Sequence, residues 1–459
     1  MSDQQRRATQ PRRITIVSIG SRGDVQPYCV LGQALSERGH DVSIATEQRL
    51  ESLVTAEFHL PYRCIVGDST GGLFDPKYQE GLAKGSIFTL IKMTNEWKAK
   101  YDMDTILASY ITALEGAEII ISGGLSMTQS YCVAEKMNAV WLPFILGPTM
   151  PTSEFPCWAT AKLTLGLSCL NKWSYTFLFR QLWKDEEKRI NPWRQNALKL
   201  PPITDAPLGI ADLIDRNPTI PVIIASSPMA CGPKQQIPSD YDTNKIHLLG
   251  FVFAKAQPLP ENVEAFLNAN VDTPVIYMGF GSMPTAKPMA LLRLAIDVCS
   301  ALRCRAIVVA GWSILSSSEE CQILLKENAQ SLLVVGSVSH TTLFPRMAAI
   351  VHHGGIGTTA AALRSGVPQL PCPVMLDQPH NAVMLKRLGV APTSIPFASI
   401  TAKKVAKGLE LILNDAKGGN MIQARAKEVG QVITKESETS LNQACDLIET
   451  MTLTSWGKV

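Results

Sequence analysis

The chain has 459 residues, 46% of them hydrophobic, with 43 Lys plus Arg against 40 Asp plus Glu, a formal net charge of +3. That length is too great for one ordinary core and suits two domains, while so small a net charge excludes a strong overall field for nucleic acid or anionic membrane, so binding rests on specific sites. The 11 cysteines are scattered without a CxxC pair, Cys299 and Cys304 being too far apart for a zinc knuckle, and read as reduced, mostly buried thiols.

Residues 1–13 are polar and basic with no apolar core of a signal peptide. No segment approaches the roughly 20 apolar residues that cross a bilayer. These features predict a cytosolic protein, with peripheral membrane contact left open.

Arg12–Gly20 is a β-branched run that predicts a strand, followed by the turn Ser21-Arg22-Gly23-Asp24. A helix follows with apolar positions Val25, Tyr28, Leu31 and Leu35, stopped by Gly39. His40 then reads as a helix-end residue. Asp41–Thr46 is the next strand, which makes a βαβ unit. Further strands are expected at Glu118–Ser122, Ala139–Ile145 and Pro221–Ala225. Between the last two, Trp158–Trp193 is rich in aromatic and apolar residues but broken by Lys172, Arg180 and Lys184. It reads either as core helix or as an apolar acceptor wall able to lie on a membrane surface.

The rhythm restarts after residue 240. A second half opens with a strand at His247–Phe253, and the Gln257–Asn262 region is the best linker candidate. Strands then follow at Pro274–Ser282, Arg305–Ala310, Ser331–Gly336 and Ala348–Val351. Strands alternating with helices in both halves imply two doubly wound parallel sheets.

The fourth of these strands leads into His352-His353-Gly354-Gly355-Ile356-Gly357-Thr358-Thr359, a glycine turn opening a helix. Such a turn offers backbone N–H groups and the positive end of a helix dipole, where a diphosphate binds, and His353 adds a side-chain donor. Asp377-Gln378 follows the apolar segment Val367–Met375, at the carboxyl end of the neighbouring strand. There a carboxylate and an amide can hold sugar hydroxyls, since ligands of open parallel sheets gather at strand carboxyl ends.

Gly20–Tyr28, Gly279-Phe280-Gly281-Ser282-Met283, His340 with Leu343–Arg346, and His352–Thr359 with Asp377-Gln378 together resemble the sterol 3β-glucosyltransferases. Asn191-Pro192-Trp193-Arg194 before Leu200-Pro201-Pro202 has the same likeness, and glycopeptide-antibiotic glycosyltransferases are more distant relatives. The resemblance runs from about Ile14 to about Leu413. It implies an α/β GT-B fold, two Rossmann-like domains facing a cleft, of glycosyltransferase families 1 and 28, and inverting transfer from a UDP-sugar. The corresponding division is a polar tail at 1–13, an acceptor-binding domain at 14–240, a strand and linker at 241–272, a nucleotide-sugar domain at 273–430, and a helix and tail at 431–459 packing back toward the first domain.

Carried over by position, the resemblance makes Asp24 the catalytic base, with Ser21 and Arg22 beside it facing the donor. Ala310, Val338 and His340 would line the nucleotide. His353, Ile356, Gly357 and Thr358 would hold the diphosphate, Ser282 would add a phosphate contact, and Asp377 and Gln378 would bind the sugar. Two departures bear on the acceptor more than on the donor: Ser339-His340-Thr341-Thr342 replaces Pro-His-Asp-Trp, and Met375, Leu376 and His380 stand where aromatic residues are usual.

An acceptor hydroxyl is far less acidic than Asp24, so proton transfer and C–O bond formation would be concerted. The alternative role for Asp24 is an N-cap, with Pro27 in the first helical turn. Diphosphate departure would be stabilised by backbone N–H groups, His353 and Thr358, without metal or other cofactor. Two Asp-x-Asp triplets, Asp102-Met103-Asp104 and Asp240-Tyr241-Asp242, lack the strand setting of a metal motif. The expectation is a UDP-glucose-dependent enzyme acting on a hydrophobic acceptor, a sterol before phenolic, terpenoid or glycolipid alternatives. A non-catalytic lipid- or nucleotide-binding protein of the same fold is the rival class.

Overall fold

The computed structural model describes residues 10–451 except 161–163, 281–287, 310–318 and, within 76–99, all but residues 77, 78, 81, 89, 92, 93 and 96. The chain divides into two compact units. Residues 1–69, 100–252 and 436–459 form the first, and residues 70–99 and 253–435 form the second.

Among the described residues the first unit holds a seven-stranded parallel sheet of order β3-β2-β1-β4-β5-β6-β7. Its strands are β1 Arg13–Val17, β2 Asp41–Glu47, β3 Tyr62–Ile65, β4 Ile119–Ser122, β5 Val140–Ile145, β6 Val222–Ile224 and β7 Ile246–Leu248. The helices here are α1 Arg22–Glu37, α2 Met103–Leu114, α3 Met127–Met137, α4 Asn171–Trp193 and α5 Ile210–Asp215. Ile14, Ile16, Ile44 and Ile119 to Ile121 are buried, as befits β-branched strands covered on both faces. Val25, Tyr28, Leu31 and Leu35 all point inward from α1. Tyr28 also donates a hydrogen bond of 2.6 Å to the Phe144 carbonyl.

Three details differ from the sequence reading. β3 went unforeseen because Tyr62-Arg63-Cys64-Ile65 is a short, partly exposed edge strand with little apolar signal. The strand near His247 does not open the second half: as β7 it closes the first sheet, with Val222 opposite Ile246. Residues 70–99 belong to the second unit although they lie inside the 14–240 segment. There Tyr78 and Met93 pack on Met375.

The second unit carries a five-stranded parallel sheet among its described residues, β10-β9-β8-β11-β12. The strands are β8 Val275–Gly279, β9 Arg305–Val309, β10 Leu332–Val335, β11 Ala349–His352 and β12 Gln369–Pro371. Its helices are α6 Glu261–Ala269, α7 Pro288–Leu302, α8 Glu319–Glu327, α9 His340–Leu343, α10 Ile356–Ser365, α11 Gln378–Arg387 and α12 Ala402–Leu413. The last helix, α13 Gly419–Glu449, contributes its final residues to the first unit. There Arg38 binds Asp446 at 2.6 Å and Glu449 at 3.0 Å, and Ser440 donates to the Phe251 carbonyl. His40 is buried at this seam, 3.3 Å from Glu449.

All 11 cysteines are free, and all but Cys64 and Cys169 are buried. Among the described residues no helix is long and apolar enough to cross a membrane.

Candidate active site

In the first unit the turn after β1 is not capped by Asp24, the alternative role read for that residue. Ser21, not Asp24, is the N-cap of α1, so Asp24 is the third residue of the helix. Asp24 Oδ2 accepts hydrogen bonds from the Ser21 backbone N–H at 2.7 Å and the Ser21 hydroxyl at 2.8 Å. This is the carboxylate half of a capping box, in which an acidic third residue reaches back to the cap. Asp24 is exposed, and Oδ1 accepts no hydrogen bond from the described residues. Pro27 consequently lies in the second turn, where its missing N–H leaves the Gly23 carbonyl without its helical donor.

The turn demands a glycine. Gly20 sits at φ +131°, and a Cβ there would lie 2.6 Å from Asp24 Oδ2. Arg49, unnoticed in the sequence, donates to the Gly20 carbonyl. It is held in turn by Asp68 at 2.9 Å and by the buried Glu47 at 3.1 Å, whose other oxygen accepts the Ser69 N–H at 2.5 Å. An ion-paired guanidinium thus braces the residue before the capping box. Arg22 lies beside Asp24 in the chain, but its two Nη atoms each reach a Glu57 oxygen at 2.6 Å and its Nε reaches Gln26.

In the second unit the expected donor residues follow strand carboxyl ends: Val338 and His340 after β10, His353 to Thr358 after β11, and Asp377 and Gln378 after β12. Ser282 and Ala310 lie outside the described residues.

The two adjacent histidines do different work. His352 is fully buried, with Nδ1 accepting the Gly354 N–H at 3.1 Å and Nε2–H facing Gln369 Oε1 at 2.9 Å. Burial, reinforced by repulsion from His353, pushes its pKa down to about 3. It is a neutral brace that removes one N–H of the glycine turn from ligand binding. His353 is pushed down to about 4, again by burial, and is neutral at physiological pH. Its Nε2 lies 2.4 Å from where a Cβ on Gly355 would be, so Gly355 makes room for the ring.

Gly355 is also the N-cap of α10 and supplies no side-chain cap. The Thr359 N–H closes the first turn on the Gly355 carbonyl at 2.9 Å. The N–H groups of Ile356, Gly357 and Thr358 therefore point out of the helix, at the positive end of its dipole. Together with the imidazole they can form an anion cradle.

Asn381, a second residue the sequence reading missed, ties this cradle to the next loop. Its amide donates to the Gly354 carbonyl at 2.9 Å and to Asp377 Oδ2 at 2.8 Å. The Asp377–Asn381 spacing of four on a helix was the available clue. Gln378 is buried, its carbonyl oxygen accepting the Val374 and Met375 N–H groups at 2.8 and 3.2 Å. Its NH₂ end is the part left to meet a ligand. Leu376, between them, is half exposed and held at φ +57°, a left-handed conformation costly for leucine.

His340 stacks on Phe344, with ring centroids 4.4 Å apart, and shares a hydrogen bond of 3.1 Å with the Tyr277 hydroxyl. Tyr277 lies against Gly279, the register partner of His352, so His340 and His353 share the ends of β8 and β11. Both acidic triplets have structural duties: Asp102 caps α2 through the Asp104 and Thr105 N–H groups, and Asp240 binds Thr152 and Ser153. Among the described residues no three metal-ligating side chains converge.

The glycosyltransferase family 28 N-terminal domain matches residues 14–142, and the erythromycin biosynthesis protein CIII-like C-terminal domain matches residues 314–436. An O-mycaminosyltylonolide 6-deoxyallosyltransferase of Streptomyces fradiae is 29% identical over 95% of this chain and 97% of its own length. The UDP-sugar-dependent glycosyltransferase 52 of Dictyostelium discoideum is 29% identical over 93% of this chain, and a sterol 3-beta-glucosyltransferase of Pichia angusta is 28% identical over 95%. The chain spans only 26% and 33% of the length of these last two. The glycosyltransferase of kitacinnamycin shares the fold, at a TM-score of 0.65 and 18% identity over 96% of this chain and 99% of that one. Two matching family domains, one in each half, on two parallel Rossmann-like sheets make this chain a member of the GT-B UDP-glycosyltransferase family.

Proposed function

We propose that this chain is an inverting glycosyltransferase that moves glucose from UDP-glucose to a hydroxyl of a hydrophobic acceptor, the 3β-hydroxyl of a sterol being the first choice. The observation that carries the reading is the uncapped N-terminus of α10 beside the neutral His353, locked by Asn381 to the Asp377-Gln378 loop. The exposed backbone N–H groups and the imidazole suit a leaving diphosphate. The Asp377 carboxylate and the Gln378 amide suit sugar hydroxyls.

Asp24 is the base in this reading. Ser21 holds Oδ2 and thereby aims the remaining oxygen, Oδ1, which takes the acceptor proton as the acceptor oxygen attacks the anomeric carbon and UDP departs. The diphosphate cradle carries the charge with protein groups alone, and the protein works in the cytoplasm.

The sterol choice rests on the motif likeness and on the sterol 3-beta-glucosyltransferases that match most of this chain. One observation favours a second reading, a broad-acceptor enzyme for phenolic, terpenoid or glycolipid compounds: the Streptomyces relative matches end to end, whereas the sterol enzymes are several times longer. UDP-glucose offered with ergosterol and a planar polyphenol together, with products identified by mass spectrometry, separates the two. A sterol glucoside as main product supports the first reading and a phenolic glucoside the second. No glucoside with any acceptor, alongside intact UDP binding, returns the chain to the non-catalytic class.

A further inference from the structure

The segment from Thr164 to Trp193 has two faces. Tyr175, Trp183, Ile190 and Trp193 are buried in the first unit's core, as expected of a core helix. Large apolar side chains are exposed away from that core: Leu165 is 84% exposed, Leu167 53%, Trp173 44% and Phe177 36%. Such a concentration is uncommon on a solvated surface and marks an interaction site.

Two further observations narrow the partner. Leu165 is held at φ +49° beside Gly166 at φ +78°, so a left-handed leucine forms a loop tip that projects its side chain away from the fold. At about 100° per residue, Trp173, Phe177, Arg180, Lys184 and Lys188 fall within one arc of about 80° on α4. The Trp173 and Phe177 rings touch, with centroids 5.2 Å apart, and the three cations are exposed. Asp185, on the flank, is paired with Lys188 at 3.5 Å. Apolar tip, aromatic pair and cations thus succeed one another along the chain, the last two on one face of α4.

We propose that the Leu165–Leu167 tip and the Trp173–Lys188 stripe form a docking surface for an anionic lipid bilayer. The leucines and rings enter the boundary between headgroups and acyl chains, where Trp is favoured, and Arg180, Lys184 and Lys188 meet lipid phosphates. The charge complementarity is local, since the whole chain carries only +3. It also argues against a second protein copy, because lysine is depleted at protein interfaces.

The test is flotation of the full chain with vesicles of phosphatidylcholine, with and without phosphatidylserine. The wild type is expected to float with the phosphatidylserine vesicles and to detach as salt is raised. A cation near an anionic surface contributes about 1 kcal/mol, roughly fivefold in partitioning, so Arg180→Glu with Lys184→Glu lowers binding by more than about tenfold. Leu165→Ser with Leu167→Ser and Trp173→Ser abolishes it with an unchanged circular dichroism spectrum. Wild-type protein that stays in solution, or variants that float equally well, overturns the proposal. So does a wild-type dimer that the triple variant converts to monomer without any vesicle binding, which would assign the face to a second copy. A raised KM for a water-soluble acceptor with flotation unchanged would assign it to the acceptor instead. Flotation is read without turnover, so its failure leaves the transferase reading intact.

Discussion

Replacing Asp24 by Asn separates the two duties that the structure gives this side chain. The amide oxygen of Asn can occupy the position of Oδ2 and accept both Ser21 hydrogen bonds, which measure 2.7 and 2.8 Å. What is lost is charge assistance on two exposed bonds and the favourable placement of an anion in the first turn of α1. That amounts to about 1 kcal/mol, or roughly 2–4 °C in the melting temperature of a unit of this size. Loss of a general base lowers turnover by about 10²–10⁴. Asp24→Ala removes both Ser21 hydrogen bonds of the capping box as well, for about a further 1 kcal/mol. The assay is initial-rate glucoside formation at saturating UDP-glucose, beside thermal denaturation and calorimetric UDP titration of the same samples. Asp24→Asn is expected to melt within a few degrees of wild type, bind UDP normally and turn over at least about a hundredfold more slowly. If transfer stays within about tenfold of wild type, or falls only in step with stability across the two variants, Asp24 serves only the capping box and the base lies elsewhere.

Other expectations follow from the same geometry. Gly355→Ala puts a methyl 2.4 Å from His353 Nε2 and forces the ring to move, so UDP affinity should fall roughly tenfold or more in calorimetry while the melting temperature changes little; unchanged affinity would remove the imidazole from the cradle. His352 and His353 titrate at about 3 and about 4 in the fold against 6.5 when unfolded, so the unfolded chain binds more protons and stability falls as pH drops from about 6.5 toward 4. Urea midpoints for His353→Asn should therefore decline less steeply over that window, by up to about 1.4 kcal/mol per pH unit, and an unaltered slope would count against a neutral buried His353. Arg49→Gln should lower kcat more than it raises the KM for UDP-glucose, because Arg49 braces the Gly20 carbonyl and not the diphosphate cradle; a change confined to KM would refute a positioning role. Excess EDTA should leave transfer intact, and loss of activity restored by added divalent metal would contradict the metal-free account.

Strand runs and the glycine turn were legible because β-branched stretches and positive-φ glycines announce themselves locally. Gly20 and Gly354, at φ +131° and +87°, lie where the sequence reading placed its two turns. The helix start was misplaced by three residues because Ser21 and Asp24 are both good caps, and only three-dimensional hydrogen bonding decides between them. Arg49 could not be found from sequence: it acts from the end of β2 on a carbonyl 29 residues earlier. Adjacent residues point differently, so only His353 reads as a donor; the one-residue step turns the His352 ring into the core, where Gln369 receives it. Tyr78 and Met93 escaped because their partner, Met375, lies about three hundred residues away in the chain.

The division of the chain into interleaved segments limits how the protein can be recombined. Because the backbone passes between the units at 69/70, 99/100, 252/253 and 435/436, a single crossover at the obvious junction near residue 253 does not exchange one unit cleanly. Such a chimera would inherit Met375 from one parent and its packing partners Tyr78 and Met93 from the other, just beside the Asp377-Gln378 loop. It would also pair Arg38 of one parent with a foreign Asp446 and Glu449. Successful donor swapping therefore calls for a graft in which 70–99 travels with 253–435 and the terminal 436–459 stays with its original amino-terminal host.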